Sequence, residues 1–472
     1  MNKIRFSLVG LAVAAALAGC NLAPVYQRPA APVTPAWPQG EAYQAAPAAV
    51  DPNQAADIAW RDFIADEKLR QLIELALGNN RDLRVSVLNI EAARAQYRVT
   101  RADRVPNVNA SVGQTAQRVP DNASATGEGY ITRQYSAGLG ISAFELDFFG
   151  KVRNLAESAL QQYLATEEAR RAQQISLVSE VANAWLTLSA DQERLRLAQD
   201  TLKSQQISLE LSKRRFEAGA TSGLDMYEAQ TSVESARSDV AVYTAQVAAD
   251  RNALTLLVGA EVPADLLPQD ALQPVTQLAD MPEGVPSEVL QRRPDVLSAE
   301  RTLQAYNANI GVARAAFFPS ISLTASAGAA SSSLSNLFKA GAGTWTFIPQ
   351  LTLPIFAGGA NQANLDLARA NRDIALAQYE KAIQSAFREV ADALAQRGTL
   401  EERVASQAAL VEASARSYRI HEQRYQKGAE SYLNALVSQR NLYAAQQGDI
   451  SARLARASNR VTLYKVLGGG WQ

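Results

Sequence analysis

The chain of 472 residues contains one cysteine and one histidine. That excludes a disulfide framework and leaves zinc, iron–sulfur or thiolate-rich centres without their usual ligands. With so few such groups, no set of nucleophile, base and orienting residue assembles, so neither an enzyme nor a bound cofactor is expected. An excess of one charge is also missing. Asp and Glu number 47 against 46 Lys and Arg, and the net charge of -1 offers nothing to a nucleic-acid partner. Aromatics are scarce at 7% although apolar residues reach 47%. Alanine makes up the difference, so any core is built from small side chains. Beyond the N-terminus no apolar run approaches the ~18–20 residues of a helical membrane span. Any membrane-embedded part must therefore consist of strands.

The N-terminus carries an export pattern. Lys3 and Arg5 precede a short apolar run from Leu8 to Leu17, too short to span a bilayer. The run ends Leu17-Ala18-Gly19-Cys20, which resembles a bacterial lipobox, so 1–19 is expected to be a lipoprotein signal peptide and Cys20 to carry an N-terminal lipid. Resemblance to such lipoproteins also implies that Asn21 permits transfer to the outer membrane. From 20 to 65 the chain is rich in Pro and Ala, including Pro24, Pro29, Pro32, Pro35 and Pro38, and should form an extended strap.

The remainder is an internal duplication. The run Arg215-Phe216-Glu217-Ala218-Gly219-Ala220-Thr221-Ser222-Gly223-Leu224 is echoed by Arg424-Tyr425-Gln426-Lys427-Gly428-Ala429-Glu430-Ser431-Tyr432-Leu433, at an offset of 209 residues. At that offset Glu180-Val181-Ala182 matches Glu389-Val390-Ala391, and Gly259 matches Gly468. Two repeats are expected, 66–259 and 287–468, joined by a linker over 260–286 and followed by a tail at 469–472. Each should run helix, strand, loop, strand, very long helix, tight turn, long helix. Between Lys151 and Arg215 there is no Gly or Pro, and 65 helical residues would extend roughly 98 Å, which predicts a rod. Gly398 is the candidate break in the matching helix. Heptad-spaced positions such as Val233/Ala236, Val247/Asp250 and Leu254/Leu257, and Tyr379, Ile383, Ala386, Val390 and Ala393, mark alanine-rich seams.

Four segments alternate apolar and polar residues as strands do: 107–115, 134–143, 320–329 and the stretch around Trp345, Phe347, Leu351 and Leu353. Runs near ten residues with this pattern suit barrel strands in a membrane, and a soluble sandwich is the plainer alternative. Four strands cannot close a barrel, whose smallest membrane form needs about eight. Subunits must share one: two chains would supply eight strands, three would supply twelve, and a lumen wide enough for solutes favours three. Arg292-Arg293-Pro294-Asp295 reads as a helix start, with Pro at the first helical position and an acid in the first turn.

These features, with Asn80-Arg81-Asp82-Leu83-Arg84, Phe144-Glu145-Leu146-Asp147, Gln291-Arg292-Arg293-Pro294-Asp295, Ala313 through Leu323, and Leu467-Gly468-Gly469-Gly470-Trp471, resemble TolC-like outer-membrane efflux factors of the OprM type. The resemblance covers essentially the whole chain. It implies a mainly α protein with a membrane β-barrel: a homotrimer in which four strands per protomer form one shared twelve-stranded barrel, continued by a long α-helical coiled-coil periplasmic tunnel. It further implies a periplasmic membrane-fusion adaptor, an inner-membrane RND transporter and outer-membrane lipid as partners. The function implied is a passive exit duct for drugs and small amphiphiles.

The repeated turns are the candidate site. Gly219 and Gly428 should adopt left-handed backbone. The resemblance implies that they, with Arg215, Ser222, Leu224 and Ser431, are the tip residues that meet the adaptor. The resemblance makes Leu433 the apolar constriction of the gate, with Arg424, Tyr425 and Arg440 as its polar network. OprM-like relatives commonly carry Asp four residues after that Leu, where this chain has Val437. Closure would then rest on Leu433 and Val437, with Asp225 and Glu228 as alternative sources of charge. His421 is expected to be a solvated or interhelical residue. The rival readings are a TolC-like duct for type I protein secretion or metal-ion efflux, and a non-conducting trimeric lipoprotein or adhesin.

Overall fold

The computed structural model describes residues 21–43, 58–125, 127–269 and 287–469. The leader, the lipobox Cys20, residues 270–286 of the linker and the last three residues lie outside them. The helices are α1 (Trp60–Phe63), α2 (Glu67–Asn79), α3 (Arg81–Ala102), α4 (Lys151–Glu217), α5 (Gly223–Val258), α6 (Pro294–Ala315), α7 (Ala360–Gln426) and α8 (Tyr432–Val466). The strands are β1 (Val108–Val119), β2 (Tyr130–Glu145), β3 (Ser320–Ser331) and β4 (Gly343–Thr352). From α3 and α6 onward the two halves match element for element: α4 and α7 each have 67 residues, and α5 and α8 have 36 and 35. Gly398 does not break α7. One mid-helix glycine costs about 1 kcal/mol relative to alanine, too little to interrupt so long a helix. Among the described residues no helix is long and apolar enough to cross a membrane.

The chain divides into two compact units. The first contains 89–167, 298–379 and the start of the described N-terminal segment. Its centre is an antiparallel sheet ordered β1-β2-β3-β4. Register places Val108 opposite Ile141, Ala110 opposite Leu139 and Val112 opposite Ala137. Onward, Ile141 pairs with Ala325, Leu139 with Ala327, and these in turn with Phe347 and Trp345. Because side chains alternate across a sheet, all these apolar residues share one face. The other face carries Asn109, Ser111, Gly138, Ser326, Thr344 and Thr346. The apolar face is bare in the single chain: Val112 is 83% exposed and Trp345 78%. β1 outruns its apolar alternation, since Gln117 and Arg118 still pair with Thr132 and Ile131. The two hairpins meet at Gly138 and Gly328, where a Cβ on Gly328 would collide with the Ala137 carbonyl. Pro349 falls on β4, which is an edge of this sheet and tolerates a missing N–H.

The segment Asn21–Arg28 has no regular secondary structure and lies along α6. Arg314 donates to the Leu22 carbonyl at 2.9 Å and Asn307 to that of Pro24 at 2.8 Å. Arg28 grips the buried Glu300 carboxylate with two hydrogen bonds of 2.8 and 2.7 Å, and the Tyr26 hydroxyl adds a third at 3.1 Å. Any side chain at Gly311 would strike the Ala23 backbone. Phe318 stacks on Phe149 at 4.8 Å while Phe317 stays part-exposed, so the aromatic pair beside the strands does both packing and surface duty.

The second unit is helical and holds 31–88, 168–297 and 380–472. Trp60, Phe63, Ile64, Leu69, Leu72 and Ile73 form a core that is almost fully buried. Phe63 stacks on Tyr464 with centroids 3.9 Å apart. Asn80 caps α3 through Leu83 N–H and donates to the Leu257 carbonyl. Pro294 opens α6 with Asp295 in its first turn. Arg293 just before it is buried, holding Asp295, Glu389 and the Val466 carbonyl. Seam positions Ala229, Val233, Ala236, Val247 and Leu254 are buried, as are Tyr379, Ile383, Ala386, Val390 and Ala393.

Candidate gate at the two helical turns

Both turns lie in the second unit and close alike. At the first, Gly219 has φ 69° and Gly428 at the second has φ 73°. Ala220 N–H bonds the Arg215 carbonyl and Gly219 N–H that of Phe216; Ala429 and Gly428 repeat this on Arg424 and Tyr425. This paired pattern satisfies the last carbonyls of each long helix and needs a left-handed residue at the glycine. The following helices start differently. The Ser222 hydroxyl accepts from Asp225 N–H at the start of α5, whereas Ser431 makes no side-chain cap at the start of α8.

The charged residues sort into two groups. At the first turn the Asp225 carboxylate is taken by the Thr221 hydroxyl. Glu228, one turn further along α5, faces a cleft of about 400 Å³ whose lining also includes Leu433, Leu436, Arg440 and Tyr443. At the second turn Arg424 pairs with Glu430 at 3.2 Å. The same carboxylate accepts from Asn434 at 2.9 Å and lies 2.9 Å from His421 Nδ1. Desolvation opposes ionisation of Glu430, but the hydrogen bonds of Asn434 and His421 and the Arg424 charge outweigh it and hold it below the usual glutamate range.

The Tyr425 hydroxyl has no hydrogen-bond partner among the described residues, so it does not join Arg424 in a polar network. It is buried against Tyr432, Ala435, Leu436 and Ala229. Its ring lies 5.3 Å from that of Tyr432. The Arg215 guanidinium, from the first turn, sits over the Tyr425 ring at 4.6 Å and donates to the Gln426 carbonyl. Burial, then Tyr425, Tyr418, Glu228 and Asp225, push the Tyr432 hydroxyl well up. Arg440 joins neither Arg424 nor Tyr425 by any hydrogen bond or ion pair among the described residues; seven residues beyond Leu433 on α8, it lies with it along the cleft. Leu433 and Val437 are 49% and 46% exposed, one turn apart on one face of α8. Leu224 is 65% exposed at the first turn.

Tyr432, Glu430 and His421 were missed as site residues by sequence reasoning. The signal was present in the repeat itself: Glu430, Tyr432 and His421 stand where the first turn has Thr221, Gly223 and Ser212.

A duplicated helix–strand–strand–helix chain with an exposed apolar sheet face and matched helical turns defines a protomer of the TolC-like channel fold. The model of outer membrane efflux proteins matches residues 72–260 and 285–469. The chain belongs to that family. It is 52% identical over 471 residues to a toluene efflux pump outer membrane protein, TtgC of Pseudomonas putida, covering 98% of this chain and 96% of the relative. The antibiotic efflux pump outer membrane protein ArpC of Pseudomonas putida gives the same figures. The crystal structure of the open state of the Neisseria gonorrhoeae MtrE outer membrane channel superposes with a TM-score of 0.86 at 37% identity, covering 96% of this chain and 99% of that one.

Proposed function

We propose that three copies of this chain form the outer-membrane exit duct of a tripartite drug efflux pump. The protein is a passive channel of the outer membrane, not an enzyme, and the energy for transport comes from its partners. The observation that carries the reading is the four-stranded sheet whose Val108, Ala110, Val112, Leu139, Ile141, Trp345 and Phe347 side chains share one face, with unpaired edges at β1 and β4. In hydrocarbon such edges must be paired, so copies of the sheet have to join edge to edge. Three give twelve strands, with the apolar face toward lipid and the Ser, Thr, Asn and Gly face toward a water-filled lumen.

The helical turns are then the periplasmic end, where a membrane-fusion adaptor and an inner-membrane RND transporter engage and open the duct. Leu433 and Val437, exposed in the single chain, are the surfaces that three copies would bring together as an apolar constriction. The relatives' toluene and antibiotic efflux supports drugs and small amphiphiles as cargo. The seat of Asn21–Arg28 on α6 supports Cys20, the residue before it, as the lipid anchor. That anchor is read by mass spectrometry of the mature N-terminus, where an unmodified Cys20 would refute it.

The test of function is a deletion strain. Loss of the gene should sensitise cells to several unrelated drugs, and only while the cognate inner-membrane pump is present. Unchanged susceptibility in the presence of an active pump would overturn the proposal.

A further inference from the structure

We propose that Glu430 is the latch of the second turn: clamped by His421, Arg424 and Asn434, it pins the first turn of α8 and thereby holds Leu433 in the closed position. The inference rests on the reading of the turns as the gate and adds to it the residues that hold the gate shut.

Three observations converge on Glu430. First, its side chain is only 11% exposed although it lies at a helical turn, and its partners come from both sides of that turn. His421 and Arg424 belong to α7, and Asn434 to the first turn of α8. The carboxylate therefore adds a polar tie between the two helices across the glycine turn, beside the packing of Tyr425 on Tyr432. Second, α8 lacks the ordinary means of fixing its start. Ser431 stands at the cap position without accepting a bond, so the side chain just before it, Glu430, makes the connection through Asn434. Leu433 lies between these two residues in sequence, and the contact that orients them orients it.

Third, the other turn of the same chain serves as an internal control. At the positions of His421, Glu430 and Asn434 the first repeat has Ser212, Thr221 and Asp225. There the Thr221 hydroxyl meets Asp225 and Ser222 caps the helix, and among the described residues no side chain of this turn hydrogen-bonds back onto α4. Arg215, with no acid at the Glu430 position to hold it, reaches instead over Tyr425. Arg424, its counterpart, is kept at home by Glu430. One turn is closed on itself, and the other is closed by an ionic clamp whose release would free α8 to move.

The charge state follows from the facing groups, His421 and Arg424 on α7 and Asn434 on α8. Their combined effect keeps Glu430 ionised at neutral pH. A lowered carboxylate value means the clamp is intact above the ordinary glutamate range and is lost as pH falls through Glu430's own value.

The experiment is single-channel recording of the purified full-length trimer in planar bilayers, with Glu430→Gln, His421→Ala and Leu433→Ala compared over a pH series. Leu433→Ala should conduct more than wild type at every pH. Glu430→Gln and His421→Ala should raise open probability at pH 7, the former by about tenfold, the size of one lost charge-assisted hydrogen bond. Wild type should open as the pH falls below the glutamate range, and Glu430→Gln should be flat there, a difference that a merely structural role would not produce. Heat-stable trimers on gels show that each variant is assembled; if Glu430→Gln fails to assemble, His421→Ala carries the comparison. Leu433→Ala open with Glu430→Gln and His421→Ala indistinguishable from wild type overturns the latch and leaves the gate standing. All variants indistinguishable, Leu433→Ala included, overturns the gate reading and the latch with it.

Discussion

The guanidinium of Arg215 lies over the ring of Tyr425 at 4.6 Å, joining the first helical turn to the second across the two repeats. The pair sits above a small cluster of Tyr432, Ala435, Leu436 and Ala229, so the two turns share one apolar anchor. Nothing at the Tyr425 hydroxyl depends on it: the oxygen is buried and has no hydrogen-bond partner among the described residues.

Tyr425→Phe should therefore leave conductance unchanged and match or exceed wild-type stability, by up to about 1 kcal/mol, because a buried unpaired hydroxyl is removed. Tyr425→Ala should cost about 3 kcal/mol through the cavity it leaves and should raise conductance. Arg215→Ala should cost about 1 kcal/mol. Thermal unfolding and bilayer recording of the three variants check this ordering.

Gly219→Ala and Gly428→Ala should each destabilise by about 1–2 kcal/mol, the cost of left-handed backbone for a residue with Cβ. Space is not the cause, since a Cβ at either position meets nothing within 4 Å. Gly428→Asn should recover part of the loss, because asparagine tolerates this conformation. Denaturant midpoints measure the series.

Gly328→Ala should fail for the opposite reason. Its Cβ would run into the Ala137 carbonyl and the Gly138 Cα, where the two hairpins pair, and backbone cannot step aside cheaply. The expected outcome is loss of heat-resistant trimers on gels with helix content retained by circular dichroism.

A pH-dependent prediction concerns the helical unit. Asp250 occupies a seam position, and burial, followed by the neighbouring Asp191, pushes its carboxyl up to about 6. A value raised on folding favours the protonated form, so its contribution is fully present below the unfolded value and is lost as pH rises through about 6. Asp250→Asn should raise the unfolding midpoint at pH 7.5, by on the order of 1 kcal/mol once solvent screening is allowed for, and should change little at pH 4. Calorimetry at the two pH values decides it.

Features that repeat or alternate along the chain were legible in the sequence. The four strands, the 67-residue helices and the left-handed glycines all follow from local pattern. Strand ends were not: β2 begins at Tyr130, beyond its clean alternation, because ladder bonds to β1 hold residues whose pattern alone would not. Gly398 was misleading because one helix-weakening residue cannot outweigh its long, well-bonded flanks. The site was legible by position but not by partner. Arg424, Tyr425 and Arg440 lie close in sequence, yet one pairs with Glu430, one stacks beneath Arg215, and one lines a cleft with Glu228. The first is local to the second turn but depends on side-chain reach across it; the other two depend on how the second turn meets the first, and helical periodicity carries no information about contacts between repeats.

A conducting duct closed at its helical turns should be visible in single-channel recordings of the purified wild-type trimer beside Leu433→Ala and Arg424→Ala. All three should conduct ions, weakly in wild type and more strongly in both variants. Intact trimers that do not conduct, or unchanged conductance in both variants, would contradict this.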